Sequence, residues 1–426
     1  MENSKNSTQT FIRCIEFFSG IGGLHYAFKQ AWSNGEVIAS FDINIVANSV
    51  YKYNFGKNPI TKCIESLNVD DIEKYEANCW LLSPPCQPYT RGGKGLDDQD
   101  QRAKGLMHLI EILPKLSKSP EYIFLENVLN FEKSRSREKL IIQLHRMNYE
   151  IHECLLTSLQ FGIPNDRLRY YLMARKKIII YENIGENIEN LEKKYLKQST
   201  TNIHRSWPFE CMLLNNNNNN NNNHNNSDNK KTDNKCHHNQ WLINDIPNIT
   251  SSINYLSNYL DDDDILNEKE LENHFVKEKY ILKSHDFKFD VVRPIDQRSS
   301  CFTKSYGSHH IFGSGSLIQT KKLEFTNYDF KNPKSLLELG LRFFTPTEVA
   351  RLHAFPLKPK NSDNFVDNLN MQDKILLSPP RLYDSSSTYY LEFPDDVSII
   401  QKHRLLGNSL NVFVVAELLR CVLFNY

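Results

Sequence analysis

Apolar residues recur along the chain in short blocks punctuated by glycine and proline. Ile12–Phe18 is a β-prone run that stops at a glycine cluster, and Gly23–Trp32 continues at helical spacing. Val37–Phe41 reads as a second strand. Cys79–Leu82 reads as a third, and Ser83-Pro84-Pro85 must end it, because proline brings no amide to a ladder and restricts the residue before it. Leu106–Leu116 predicts a helix, Tyr122–Leu125 and Arg169–Ala174 predict strands, and Leu405–Leu423 is apolar at helical spacing. Strands alternating with helices predict βαβ units, hence an α/β fold with a parallel sheet covered on both faces. No internal repeat is present.

Two stretches break the pattern. Nine consecutive asparagines at 215–223 lead into HNNSDNKKTDNKCHHNQ, with too few apolar side chains to offset the entropy of ordering, so a disordered insertion over 211–240 is expected. Cys236, His237 and His238 lie inside it but lack partners at ligand spacing, so biased sequence is the better reading than a metal site. Residues 358–388 are polar and turn-rich and read as a long loop.

Composition narrows the class. At roughly 150 residues per domain, 426 residues allow two or three domains and a sizeable core. No run of 18 or more uncharged apolar residues occurs, so no spanning helix and no membrane partner are expected. The first ten residues lack the layout of a secretory signal. Nine cysteines without regular spacing suggest neither a disulfide framework nor zinc, and point to a reducing compartment, cytoplasm or nucleus. The 51 basic and 51 acidic residues cancel, which leaves nucleic acid neither indicated nor excluded. Locally the signs separate: 274–325 carries nine Lys/Arg against five Asp/Glu, and 261–272 one against seven. From charge alone, ordinary solvated faces explain both.

The chemistry begins at the first strand-to-helix turn, Phe17-Phe18-Ser19-Gly20-Ile21-Gly22-Gly23-Leu24. Glycines there let the backbone approach a ligand and leave helix N-terminal amides free to bind it. The turn is neither a Walker loop nor G-x-G-x-x-G, since His25 takes the final glycine's place. Asp42 closes the second strand, where an acid can grip ribose hydroxyls. The glycines alone could be a tight turn. With that acid, and no lysine or arginine for a diphosphate, they favour an adenosyl cofactor with an amino-acid tail.

Ser83-Pro84-Pro85-Cys86-Gln87-Pro88-Tyr89-Thr90-Arg91 is the most informative stretch. Prolines fix a rigid loop at the carboxyl end of a strand, where open α/β sheets place ligands. Most cysteines are inert and buried. One among three prolines is no ordinary strand or helix residue, so a nucleophile is expected, with Arg91 and the following helical segment favouring its thiolate.

At this point the chain resembles the cytosine-5 methyltransferases. The glycine turn matches the family's first motif, Pro85-Cys86-Gln87 its nucleophile loop, and Glu126-Asn127-Val128 the next. Gln160-Phe161-Gly162-Ile163-Pro164-Asn165-Asp166-Arg167-Leu168-Arg169 matches the arginine motif; Phe344-Thr345-Pro346-Thr347-Glu348 and Leu406-Gly407-Asn408-Ser409 match the last two. Asn165 stands where DNA-specific members usually carry Gln. The nucleophile loop, Cys301-Phe302-Thr303-Lys304-Ser305-Tyr306-Gly307 and Arg404–Val412 resemble the branch that methylates cytosine 38 in the anticodon loop of tRNA-Asp, a branch first taken for DNA methyltransferases. Tyr89 replaces its usual Phe and Asp166 its usual Ser.

The resemblance implies a class I S-adenosylmethionine-dependent fold, Rossmann-like with a mostly parallel seven-stranded sheet. It implies a catalytic domain from 10–181 and 389–426, and a smaller target-recognition domain over 182–357. The C-terminal helix is expected to return to the large domain, and the protein to be a monomer. Cys86 would add to carbon 6 of the cytosine, which turns carbon 5 into a nucleophile, and Glu126 would donate a proton to ring nitrogen 3. Arg167 and Arg169 are expected to point to opposite faces, one to the base edge or the Cys86 loop, the other to a phosphate. S-adenosyl-L-methionine would sit on Phe18, Ser19, Gly20, Ile21, Gly22, Gly23 and Leu24, with Asp42 on its ribose. Ile64 and Glu65 would frame it, and Ser83, Asn408 and Ser409 would close the pocket; no metal is needed. The basic stretch 274–325 and a second lip carrying Lys133, Arg135, Arg137, Lys139 and Arg146 would face phosphates. Cys301 reads better as a packed thiol than as a reactive one. DNA methylation, or a silent adenosyl-binding RNA chaperone, are the alternatives. No zinc cluster or helix-turn-helix signal lies between Arg175 and Arg342, and Cys86, Glu126, Arg167 and Arg169 are all intact.

Overall fold

The computed structural model describes residues 10–90, 95–177, 203–206, 253–261, 272–308, 311, 315–358 and 389–424. The asparagine-rich insertion with Cys236, His237 and His238, Arg91, and the expected loop beyond Lys358 lie outside the described residues.

Six strands form the main sheet: β1 (Ile12–Phe17), β2 (Gly35–Phe41), β3 (Cys79–Leu82), β4 (Tyr122–Val128), β5 (Tyr149–Leu156) and β6 (Arg169–Lys176). Their order is β2-β1-β3-β4-β6-β5, parallel from β2 to β4 and antiparallel through β6 and β5. The described residues thus supply six strands where seven were expected. Successive residues of a strand face opposite sides. Cys14, Leu81 and Phe124 therefore enter one core, and Ile15, Trp80, Leu82, Ile123 and Leu125 the other. Burial on both faces explains why β3 and β4 read as unbroken apolar runs rather than alternating ones.

Helix α1 (Gly23–Ala31) covers the first face, with the C-terminal helix Val412–Leu418 packed on it. Helices α2 (Ile45–Phe55) and α3 (Val69–Glu73) follow β2, and α4 (Lys104–Ile112) and α5 (Arg135–Arg146) cover the second face. The expected helix Leu405–Leu423 is two helices, Ile399–Gly407 and Val412–Leu418, followed by a π-helical turn. Asn411 interrupts it, its side chain accepting from Val414 N at 3.1 Å as an N-cap. Taken together, Ile399–Leu423 is long and apolar enough to pass for a membrane span, which was not expected of Leu405–Leu423 from the sequence; 78% of its most apolar window is buried inside this fold.

A second sheet, β7 (Val291–Val292), β8 (Leu317–Gln319) and β9 (Leu341–Phe343), has its own core of Val276, Ile281, Phe289, Leu317, Leu336 and Leu341. Phe302, Tyr306, Ile318 and Phe344 from the same region join the main core, so the two sheets are welded. Arg342 and Glu348 secure that weld: the guanidinium donates to both carboxylate oxygens at 2.8 Å, fixing β9 to helix Pro346–Leu352.

Candidate active site

Parallel pairing sets the carboxyl ends of β1 and β3 side by side, Phe17 against Leu82, and Leu82 against Leu125 of β4. The glycine turn, the proline loop and Glu126 therefore leave the sheet at one edge. Antiparallel β6 starts there too, with Arg169 opposite Val128. A cavity of about 540 Å³ opens at this edge, within the size range of small-molecule sites.

The glycine turn, Asp42, Ile64, Glu65 and the loop after Ile399–Gly407 form one side of the cavity. Phe18, Ser19, Gly20, Ile21, Gly23 and Leu24 line it, with Asn408 and Ser409 across. Gly22 does not line it. Its φ of 85° suits glycine, and a Cβ there would meet the Phe55 ring at 2.4 Å, so its part is to make the turn. Asp42 ties the turn to α2, accepting from Gly20 N and Asn44 N at 2.8 Å each. Burial raises its pKa against the pull of those bonds. Ser19 Oγ is buried without a protein partner, which suits the polar end of a ligand. The wall also holds Ile43, Asn44, Lys62, Cys63, Gln101, Arg102 and Gly105, which the sequence reading missed. Ile43 and Asn44 directly follow the strand-end acid and could have been found from it. An unpartnered hydroxyl, an acid at a strand end and apolar walls fit an adenosyl cofactor with an amino-acid tail.

The other side carries Ser83, Pro84, Pro85, Cys86, Glu126, Arg167 and Arg169. Asn127 Nδ2 donates to Pro84 O at 3.2 Å, pinning the proline loop to β4. Ser83 Oγ donates to Glu126 Oε2 at 3.3 Å, and Arg169 Nε lies 3.4 Å from Oε1. Burial raises the Glu126 pKa while Arg169 and Arg167 pull it down. Cys86 is half-buried, and burial pushes its thiol up, with Arg169 opposing, Glu126 adding and Arg167 opposing. The expectation of a favoured thiolate is thus corrected for the free protein: desolvation outweighs the cations. A short 3-10 turn, Gln87–Tyr89, follows Cys86 in place of a helix.

The two arginines do not face opposite ways. Residues two apart on an extended chain share a face, and both guanidiniums converge on Cys301 Sγ, at 3.3 Å from Arg167 and 3.5 Å from Arg169. Burial alone would raise the Cys301 thiol, but Arg169 and Arg167 bring its pKa below the ordinary value. Burial works against the Arg169 guanidinium, yet Cys301 and Glu126 outweigh it and hold its pKa up. Cys301 is therefore not the simple packed thiol that the sequence favoured.

The second basic lip is also corrected. Arg137 is buried, donating to Glu153 Oε1 and Oε2 at 2.6 Å each. Arg135 and Lys139 both reach Asp98, at 2.6 and 2.8 Å. Arg135 and Lys139 thus anchor the segment after Cys86 to α5, and Arg137 anchors α5 to β5, rather than wait for phosphates. Among the described residues no group of three or more His, Cys, Asp or Glu is placed to hold a metal ion.

Residues 12–366 match the family model described as C-5 cytosine-specific DNA methylase. A Dictyostelium discoideum DNA (cytosine-5)-methyltransferase is 36% identical, over 96% of this chain and 93% of its own. The human tRNA (cytosine(38)-C(5))-methyltransferase is 31% identical, over 96% and 98%. Among solved structures, a Spodoptera frugiperda DNMT2 mutant superposes with a TM-score of 0.64 at 31% identity, covering 97% of this chain and all of the other. Schizosaccharomyces pombe Dnmt2 gives 0.63 at 27% identity, covering 96% and 98%.

Proposed function

The chain belongs to the C-5 cytosine methyltransferase family, with a class I S-adenosylmethionine-dependent fold, and from that premise we propose that it methylates cytosine 38 in the anticodon loop of tRNA-Asp through a covalent Cys86 adduct. The observation that carries the chemistry is the convergence of Cys86, Glu126 and Arg169 on one cavity whose other side is the cofactor-shaped cradle. The substrate choice is supported by full-length likeness to relatives named for tRNA cytosine 38.

Cytosine carbon 5 is a weak nucleophile until the ring is activated. Cys86 loses its proton to solvent and adds to carbon 6, in the field of Arg169 and Arg167 that offsets part of the desolvation penalty. Glu126, whose pKa burial raises, donates its proton to ring nitrogen 3 as charge develops there, and Arg169 stabilises the carboxylate left behind. Ser19, the glycine turn, Asp42 and the Asn408–Ser409 loop would hold S-adenosylmethionine, which would supply an electrophilic methyl group. Once carbon 5 carries the methyl group, solvent water takes the carbon 5 proton as the Cys86 thiolate is expelled, which restores the ring, and nitrogen 3 returns its proton to Glu126.

The base must leave its stack to reach a half-buried thiol, and an unpaired loop nucleotide does so at less cost than one in a duplex. Exposed Lys277, Lys279, Lys283 and Lys288 on the small-sheet side are suited to phosphates. DNA methylation is the second reading, favoured by the DNA-named relative at 36% identity. Tritiated S-adenosylmethionine offered with tRNA and with duplex DNA in parallel separates them: label is expected in tRNA. Label in DNA alone overturns the tRNA assignment, and label in neither with cofactor still bound supports the chaperone alternative.

A further inference from the structure

Arg167 is 2% exposed, and its guanidinium bridges two segments that belong to different halves of the site. One is the strap Ser299–Thr303: Nη1 donates to Cys301 Sγ at 3.3 Å and to Phe302 O at 3.0 Å. The other is the cofactor-side loop: Nη2 donates to Gly407 O at 3.2 Å and to Ser409 O. Gly407 O belongs to the last turn of helix Ile399–Gly407, whose carbonyls carry negative partial charge, so a buried cation caps it favourably.

The strap is also tied to the segment that carries Arg167. Ser299 N donates to Pro164 O at 2.9 Å and Asp166 N to Ser299 O at 2.8 Å. Asn165 Nδ2 donates to Ser299 Oγ at 3.2 Å and Ser300 O at 3.1 Å, so the strap is clamped to the segment that carries Arg167. The strap and the loop also touch directly: a Cβ on Gly407 would lie 2.3 Å from the carbonyl of Thr303. On the far side, a Cβ on Gly23 of the glycine turn would lie 2.9 Å from Ser409 Oγ. A continuous chain of contacts thus runs from the cofactor cradle, through Ser409 and Arg167, to Cys301 beside Arg169.

We propose that Arg167 is a positioning residue that couples cofactor occupancy to the order of the strap bearing Cys301, and so to the affinity for the target nucleotide. The inference deepens the reading above and rests on its cofactor site. A ligand that restrains the 407–409 loop fixes two acceptors of a planar fork. The other two donors of that fork are then aimed, and the strap loses freedom it would otherwise give up on binding the base. Lysine cannot reproduce this, being a point charge without a rigid fork. Only Nε of Arg167 lacks a protein partner, so a direct contact with the base is the competing role, and it makes a different prediction.

Hydrogen exchange on the full chain with and without S-adenosylhomocysteine, in the absence of RNA, tests the coupling. In the native protein, slower exchange is expected at residues 18–24 and also at 299–304. In Arg167→Lys the protection at 18–24 is expected to persist while that at 299–304 is lost. In parallel, S-adenosylhomocysteine should tighten tRNA binding by about 5–150-fold in the native protein and by a factor near one in the variant. Protection at 18–24 without any at 299–304 in the native protein overturns the proposal, as does full strap protection in Arg167→Lys, the pattern of a pure base contact. Absence of protection at 18–24 instead overturns the cofactor site itself. If Arg167→Lys does not fold, the native result decides, and Asn165→Ala, which frees the strap but spares the guanidinium, is expected to lose the same protection.

Discussion

Arg169 Nε lies 3.4 Å from Glu126 Oε1, with side chains 13% and 9% exposed. Proximity to a cation would make most carboxyls stronger acids, yet burial prevails and the Glu126 pKa is raised. A carboxyl placed in this way holds its proton more tightly than an exposed one and has a guanidinium beside it once the proton has gone.

Glu126→Gln keeps the shape and removes the transferable proton. A fall in kcat of about 10²–10⁴-fold is expected, with little change in KM for RNA. The pH profile carries a sharper signature. Activity requires Cys86 ionised and Glu126 protonated, so kcat/KM rises as Cys86 loses its proton and falls as Glu126 does. Both pKa values are displaced upward. In Glu126→Gln the falling limb should vanish, leaving a rise to a plateau; a persistent falling limb would assign it to another group.

Glu16 lies behind the glycine turn, fully buried, accepting from Tyr51 Oη at 3.0 Å and His25 N at 3.2 Å. Burial pushes its pKa up to about 8 from an ordinary 4.5. The fold therefore favours the protonated form. That contribution is complete below the ordinary carboxyl pKa and is lost as pH rises through about 8. Glu16→Gln is expected to melt above the native protein near pH 8 and to lose that advantage near pH 4. Equal melting temperatures across the range would show that Glu16 ionises without penalty.

The weld between the sheets depends on a buried ion pair. Glu348 is 0% and Arg342 3% exposed. Glu348→Ala leaves the guanidinium unpaired, and chemical denaturation should report a loss of about 3–5 kcal/mol. Replacing both residues by methionine should recover part of it, since no buried charge is then stranded. A single substitution costing no more than a surface pair would contradict the weld.

Two left-handed glycines separate backbone strain from crowding. At Gly56, φ 66°, a Cβ would meet nothing within 4 Å, so Gly56→Ala should cost about 1–2 kcal/mol. At Gly22 the same strain is joined by the Phe55 ring at 2.4 Å, so Gly22→Ala should lose about 1–3 kcal/mol more and weaken cofactor binding. Matched losses at the two positions would mean that the ring gives way freely.

Most of the sheet was legible because β1, β3 and β4 are buried on both faces; the runs of β1 and β3 lead into glycine or proline, and that of β4 into Glu126-Asn127. Edge strand β5 was not: in YEIHECLL, Glu150, Ile151 and His152 are only half-buried between buried Tyr149 and a buried second half, so it reads as neither alternating nor continuous. Helix α5 was read as a basic lip, because RSREKLIIQLHR gives no sign that Glu153 and Asp98 wait for its charges. The motif residues meet at one edge because the glycine turn, the proline loop and Glu126 lie at carboxyl ends of parallel strands, while Arg167 and Arg169 lie at the start of antiparallel β6. What no spacing could show is the partner of each guanidinium. Cys301 lies more than 130 residues from both arginines, and its lowered pKa exists only once they converge on it.

That convergence makes Cys301 the rival to Cys86, since burial raises the thiol of one while two cations lower that of the other. The most direct test is covalent trapping: the native protein, Cys86→Ala and Cys301→Ala are each incubated with S-adenosylmethionine and a tRNA-Asp anticodon-loop RNA carrying 5-fluorocytidine at the target position, and the adduct is mapped by peptide mass. A denaturation-stable adduct on Cys86 is expected in the native protein and in Cys301→Ala, and none in Cys86→Ala. An adduct that survives Cys86→Ala, or that maps to Cys301, would contradict the assignment of Cys86 as the nucleophile.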